Sequence, residues 1–167
     1  MLNGLEVTNF KCFESQCFNF SNLTVFCGAN SAGKSTAIQA LLLIKQNQDE
    51  DRLRKKTLDL YGELISFGNL SDVLFQSARE NRIEISIDEE VFSVQVTSEN
   101  RRASEVALSD ISSGGFTGLK NDFVYLSAER QGPRASFDIG RDLSRLNVGI
   151  FGEFALSEYE RFSDLKV

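Results

Sequence analysis

The chain has 167 residues, 41% hydrophobic and 25% charged, an ordinary globular balance that supplies enough material for one domain. A net charge of −6 excludes an overall positive field for nucleic acid, so any contact with DNA or RNA has to be local or come from another segment. Cys12, Cys17 and Cys27 are odd in number, lack C-x-x-C spacing and have no histidine to complete a zinc site, so they read as reduced, buried thiols.

The N-terminus lacks a basic stretch followed by an apolar core, and no apolar run approaches the ~20 residues that span a bilayer. The expectation is a soluble, cytoplasmic protein without membrane contact. Residues 5–10 alternate as a half-buried strand does. Residues 11–15 turn the chain, residues 17–20 read as a short return strand, and Ser21-Asn22 turns again. Residues 23–27 form an apolar, β-prone run of strand length, and residues 37–44 are a strong helix former.

Between them lies Gly28-Ala29-Asn30-Ser31-Ala32-Gly33-Lys34-Ser35-Thr36, which fits the phosphate-binding loop G-x-x-x-x-G-K-[ST] in the strand–loop–helix context that the motif requires. Gly28 and Gly33 admit dihedrals that a Cβ penalises, so main-chain N–H groups can close around phosphate oxygens. The helix that follows points unpaired N–H groups and the positive end of its dipole at the same anion. In this pattern Lys34 reaches the β- and γ-phosphates, the Ser35 hydroxyl ligates Mg²⁺, and Thr36 sits near the α-phosphate. The loop implies a nucleoside triphosphate ligand.

The helix is predicted to run to about residue 48, apolar on all sides between residues 37 and 44 and therefore buried. Arg52, Arg54, Lys55 and Lys56 follow three acids and read as a solvated charged turn, with contact to nucleic acid or a partner as the alternative. Residues 58–60, 64–69 and 72–75 make a second region. Ile83, Ile85 and Ile87 alternate, residues 88–90 turn, and residues 91–96 alternate back; residues 105–108 add a strand. Ile85-Ser86-Ile87-Asp88-Glu89 mimics a Walker B strand, and Ser112-Ser113-Gly114-Gly115 mimics an ABC signature loop. Their order is reversed and too few residues follow for the intervening helix, so they read as a hairpin turn and a glycine loop. Residues 123–127 read as a buried central strand, and residues 142–146 and 154–165 as helical pieces.

Two stretches, Leu5-x-Val7-x-Asn9-Phe10-Lys11-x-Phe13 and Phe20 through the loop to Thr36, resemble the N-terminus of ABC-type ATPases. The resemblance is to the RecF, SMC and Rad50 branch, and within it to the AAA-labelled ATPases of overcoming-lysogenization-defect and Septu-like phage defence. It extends to the second region, where it implies a short strand pair leading to Phe67-Gly68-Asn69-x-x-Asp72. It implies an α/β P-loop NTPase fold: an N-terminal lobe with an antiparallel β-subdomain around a central helix. Residues 1–57 would carry strands, loop and first helix, 58–120 the β-subdomain, and 121–167 a Q-loop-like passage and the start of a helical lobe. It places Asn30 beside the γ-phosphate, with Ser31 and Ala32 in the cradle. Lys11 would approach the nucleotide, or is a solvated turn lysine. Tyr125-x-Ser127-Ala128-Glu129-Arg130-Gln131-Gly132-Pro133-Arg134 resembles the passage into the helical lobe, where Gln131 would meet Mg²⁺ and the attacking water. Arg130 and Arg134 would contact phosphate or a partner subunit, anchored by Glu129, or form a strand-end salt-bridge network.

The resemblance implies ATP and Mg²⁺ as cofactors and two heads sandwiching two nucleotides, in a homo-oligomer or head-to-head dimer. ATP-driven closure would gate a nuclease, another effector or DNA. It reaches only the first part of that family, without credible signature loop, Walker B, D-loop or switch histidine. The expectation is a fragment or a separate short polypeptide that binds ATP and hydrolyses it poorly alone. The alternative is a non-hydrolysing nucleotide sensor that docks a partner. A P-loop kinase or GTPase comes third, since the β-rich insertion argues against a kinase and no Asn-Lys-x-Asp is present for guanine.

Overall fold

The computed structural model describes residues 2–111, 119, 123–128 and 147–162. The chain divides into two compact units, residues 1–118 and 119–167.

In the first unit, β1 (Gly4–Phe10) and β2 (Phe13–Asn19) form a hairpin closed by Lys11 and Cys12. The return strand thus starts at Phe13 rather than after residue 16, because the turn needs only two residues when Lys11 adopts φ 53°. α1 (Lys34–Asp49) follows the glycine loop, and β3 (Thr57–Asp59) follows the charged turn. A one-turn helix, α2 (Leu70–Val73), is closed by a capping box. Asn69 is the N-cap, and the Asp72 carboxylate accepts the Asn69 N–H at 3.0 Å. That reciprocal pair gives the Asn69-x-x-Asp72 spacing its physical reason. β4 (Arg82–Ile87), β5 (Glu90–Gln95), β6 (Glu105–Ala107) and β7 (Asp110–Ile111) complete the unit.

Five strands form an antiparallel sheet in the order β2-β1-β4-β5-β7, and β3 pairs with β6 in a separate ribbon. The period-2 pattern places apolar side chains in cross-strand rows. Leu5 lies opposite Ile87, Val7 opposite Ile85, Ile85 opposite Phe92, and Phe92 opposite Ile111. Leu43 and Ile44 of α1 meet Phe10, Ile83, Ile85, Phe92 and Val94 across this face, with Leu58, Leu60, Leu70 and Val73 closing the ends. The gap left among them is about 10 Å³ and apolar, so this is packed core and not a ligand chamber. Each buried side chain contributes about 1.5–3 kcal/mol, against about 0.2–1 kcal/mol for an exposed ion pair, so the seam and not the charged turn holds α1.

Other expectations for this unit change as well. Residues 24–28 join no strand, and Leu23 and Val25 are 80% and 70% exposed, because no neighbour among the described residues supplies a ladder. The three thiols are free and exposed. Cys12 lies in the hairpin turn, Cys17 on the open face of an edge strand, and Cys27 on the unpaired run before the loop. Residues 57–59 pair with β6, and the link to residues 64–67 is reduced to one bridge between Tyr61 and Ser66.

In the second unit, α3 (Ala155–Phe162) follows a turn at Gly149 and Gly152, both at φ 75°. Residues 123–127 form no strand, and Val124 and Leu126 are about half exposed at 43% and 47%. Ser127 N–H donates to the Ile150 carbonyl at 2.8 Å. An apolar run specifies burial only where a sheet receives it.

Candidate functional site

The phosphate loop is shaped by three residues outside the ordinary backbone regions: Gly28 at φ 148°, Ser31 at φ 66° and Gly33 at φ 88°. Gly33 is required twice over. Its dihedral disfavours a Cβ, and an added Cβ would fall 2.3 Å from Phe13 Cζ and 2.9 Å from Cys12 Sγ. The Ala32 N–H closes the loop onto the Ala29 carbonyl at 3.3 Å.

Gly33 is the N-cap of α1 and contributes no side-chain cap, and the first turn carries no acid. The helix therefore offers its terminal N–H groups and dipole to the loop without a competing anion. Lys34 Nζ donates to the carbonyls of Gly28 and Ala29 at 2.9 and 2.6 Å. The ammonium thus lies across the cradle, where a phosphate would exchange weak carbonyl contacts for charge-assisted ones. Asn30, Ser31, Ala32 and Ser35 face solvent. Thr36 is buried, and its Oγ1 lies 3.6 Å from Cys12 Sγ. An uncapped helix start, a left-handed glycine cradle and a lysine aimed into it fit a triphosphate. Ser35 is exposed in the first turn of α1.

The Asn9-Phe10-Lys11-x-Phe13 motif acquires a role residue by residue. Asn9 adopts φ 53°, and its Nδ2 donates to the carbonyls of Glu80 and Arg82 at 3.2 and 2.9 Å. Phe10 is fully buried against Phe67 with ring centroids 5.9 Å apart. Lys11 Nζ donates to Gln39 Oε1 at 2.9 Å and sits 4.7 Å from the centre of the Phe67 ring. Burial pushes this ammonium below the ordinary lysine value, with the neighbouring Cys12 as a lesser, opposing influence. Lys11 is therefore more than a solvated turn lysine. Phe13 packs on Gly33.

Asp88 is occupied elsewhere: its Oδ1 accepts the N–H groups of Asn3 and Gly4, both at 2.8 Å. Its carboxylate is a clasp on the start of β1, as the hairpin reading of residues 88–90 requires. Gln131, Glu129, Arg130, Arg134 and the glycine loop at residues 112–115 lie outside the described residues. Among the described residues no three His, Cys, Asp or Glu side chains gather as a metal cage, and no helix is long and apolar enough to cross a membrane.

Sequence reasoning missed Gln46 and Asn47, which are buried on α1. Asn47 Oδ1 accepts the Asp59 N–H at 2.6 Å, and its Nδ2 donates to the carbonyls of Asp59 and Leu43, both at 2.9 Å. Gln46 Oε1 accepts the Ile65 N–H at 3.0 Å. Two consecutive amides inside a helix predicted to be buried were the available signal.

The family described as "AAA ATPase domain" matches residues 1–131. Among solved structures, one described as "Structural biochemistry of ATP-driven dimerization and DNA stimulated activation of SMC ATPases" is 22% identical with a TM-score of 0.41. The similarity covers 60% of this chain and 65% of that one, so the chain spans just under two thirds of its length. No curated protein matches the sequence.

Proposed function

The chain belongs to the AAA ATPase domain family, and we propose that it is the ATP-binding lobe of an ABC-type ATPase of the RecF and SMC kind. The observation that carries the reading is the uncapped start of α1 behind the Gly28–Gly33 cradle, with Lys34 Nζ lying across it. In this reading the main-chain N–H groups of residues 30–34 and Lys34 bind the β- and γ-phosphates, Thr36 adjoins the α-phosphate, and Ser35 holds Mg²⁺. Bound Mg²⁺ would neutralise charge between the phosphates. By the motif resemblance, Asn30 would flank the γ-phosphate, and Gln131 would help to hold the metal and the attacking water.

Asn30, Ser31 and Ala32 are exposed, so the outer wall of the cradle is left for a second surface. We assign that surface to another head in a head-to-head dimer, whose closure gates a nuclease or other effector in DNA-linked or antiphage defence, in the cytoplasm. The effector and the defence role rest on the motif resemblance. A second reading, a nucleotide sensor that does not hydrolyse, is favoured by one observation: the Asp88 carboxylate is spent on Asn3 and Gly4.

The test is Mg·ATP binding and turnover by the purified chain, with Lys34→Ala as control. Binding that disappears in the variant, with negligible turnover, supports an ATP-binding lobe. Absence of binding in folded wild type removes the reading. Steady turnover assigns water activation to Asp88, Glu89 or Glu129 and overturns the hairpin assignment.

A further inference from the structure

The phosphate loop hangs between two arms, the unpaired run that ends in Phe26 and Cys27, and the start of α1 at Gly33. We propose that aromatic side chains of β2 set the spacing of these arms, which makes Phe13 and Phe18 positioning residues for the phosphate cradle. The proposal rests on the nucleotide-binding reading above and adds to it the element that holds the loop open at the right width.

The contacts run without a break from one arm to the other. Phe13 lies against the Gly33 backbone, with Cζ and Cε1 at 2.3 and 2.7 Å from where a Cβ would stand. The rings of Phe13 and Phe18 meet edge to face at 5.6 Å. Phe18 meets Phe26 in the same way at 5.6 Å, and Phe20 meets Phe26 at 6.3 Å. Between Phe13 and Phe18, residues 14–17 of β2 are exposed, so the strand's packing is concentrated at its two ends.

Two further observations make these rings restraints as well as filler. Among the described residues, residues 24–28 have no ladder pairing, and the Phe18 and Phe20 rings are the contacts that reach Phe26. On the other arm, the hairpin turn follows α1 at intervals of three residues. Phe13 meets Gly33, Cys12 meets Thr36, and Lys11 meets Gln39. A three-residue interval keeps one face of a helix in register, so the hairpin braces the first two turns along their length. A cradle of backbone N–H groups binds phosphate only while its arms keep one separation. Apparent affinity falls in proportion to the fraction of time they do so.

The experiment uses the full chain and titrates a fluorescent Mg·ATP analogue into wild type, Phe13→Ala, Phe18→Ala, Phe13→Leu and Val94→Ala. Val94 is buried in the sheet core and outside the aromatic chain, so its truncation reports general destabilisation. Amide hydrogen exchange over residues 26–34 is followed in parallel without nucleotide, at a temperature where circular dichroism shows folded protein. If truncation leaves the arms correctly spaced for a tenth of the time, affinity falls about 10-fold. That loss is expected for Phe13→Ala and Phe18→Ala, with faster exchange over residues 26–34, partial recovery in Phe13→Leu, and neither change in Val94→Ala.

Unchanged affinity and exchange in Phe13→Ala and Phe18→Ala overturn the proposal, as does an equal loss in Val94→Ala. If the alanine variants fail to fold, Phe13→Leu and Phe18→Leu decide by the same two readouts. Folded wild type that binds no Mg·ATP refutes the nucleotide reading, while the exchange comparison still decides whether the rings restrain the loop.

Discussion

Lys11 shows how one side chain can be fixed by surroundings that its neighbours in sequence do not reveal. The hairpin tip forces it to φ 53°, and its ammonium then finds Gln39 and the face of Phe67. Partial burial favours the neutral form, so the folded-state value lies below the ordinary 10.5. The unfolded chain therefore holds this proton more tightly than the folded one. Lys11 opposes folding while it is charged in both states, and the opposition fades as pH rises through the folded value toward 10.5. Thermal melts across the alkaline range should show stability rising with pH more in wild type than in Lys11→Met. Identical pH profiles would mean that the ammonium is not buried against Phe67. Nucleotide binding that moved Lys11 onto phosphate would remove the same difference.

At the scale of elements, α1 is held by apolar packing on one side and by two amides at its C-terminal end. Asn47 is fully buried and uses both of its amide groups, clamping the last turn of the helix to β3. Its truncation strands the Asp59 N–H, at a cost of about 1–3 kcal/mol, while the Asp59 carbonyl keeps Gln46 Nε2 at 3.3 Å. Asn47→Ala should therefore destabilise the first unit by about 2 kcal/mol in urea unfolding. A change below about 0.5 kcal/mol, the size of an ordinary surface substitution, would show the clamp to be dispensable. Arg52 adds a surface network to the same corner, with Glu50 at 2.6 Å, Glu105 at 2.8 Å and Asp59 at 3.1 Å. This basic residue of the charged turn is committed to carboxylates, while Arg54 is mostly exposed beside Asp51.

For the whole molecule, the site and the core are separate structures that share α1. The buried face of the helix packs on the five-stranded sheet, and its N-terminus meets solvent at the loop. A ligand at that terminus stabilises the folded first unit by mass action, even though it touches little of the core. Mg·ATP at about 100 times its dissociation constant adds about 2.7 kcal/mol. For a unit of this size that corresponds to a rise in melting temperature of about 10 °C. The rise should appear in the transition of the unit formed by residues 1–118 and vanish in Lys34→Ala. A shift that survives in the variant would place the nucleotide outside the cradle.

The sequence by itself determined the phosphate loop, α1 to within a residue, β1, and the β4–β5 hairpin with its turn at Asp88. Each of these is encoded locally. Glycine dihedrals, helix propensity and period-2 alternation act between residues close along the chain, and the lysine and hydroxyls of the motif carry their chemistry with them. Only the tertiary structure decided that residues 24–28 would find no ladder among the described residues, that β3 would pair with β6, and that the thiols would face solvent. It also decided that Asp88 would clasp β1, that Lys11 would rest on Phe67, and that Phe13 would back Gly33. These outcomes depend on which distant segments arrive beside one another, and burial and pairing are properties of that meeting, which no window of sequence contains.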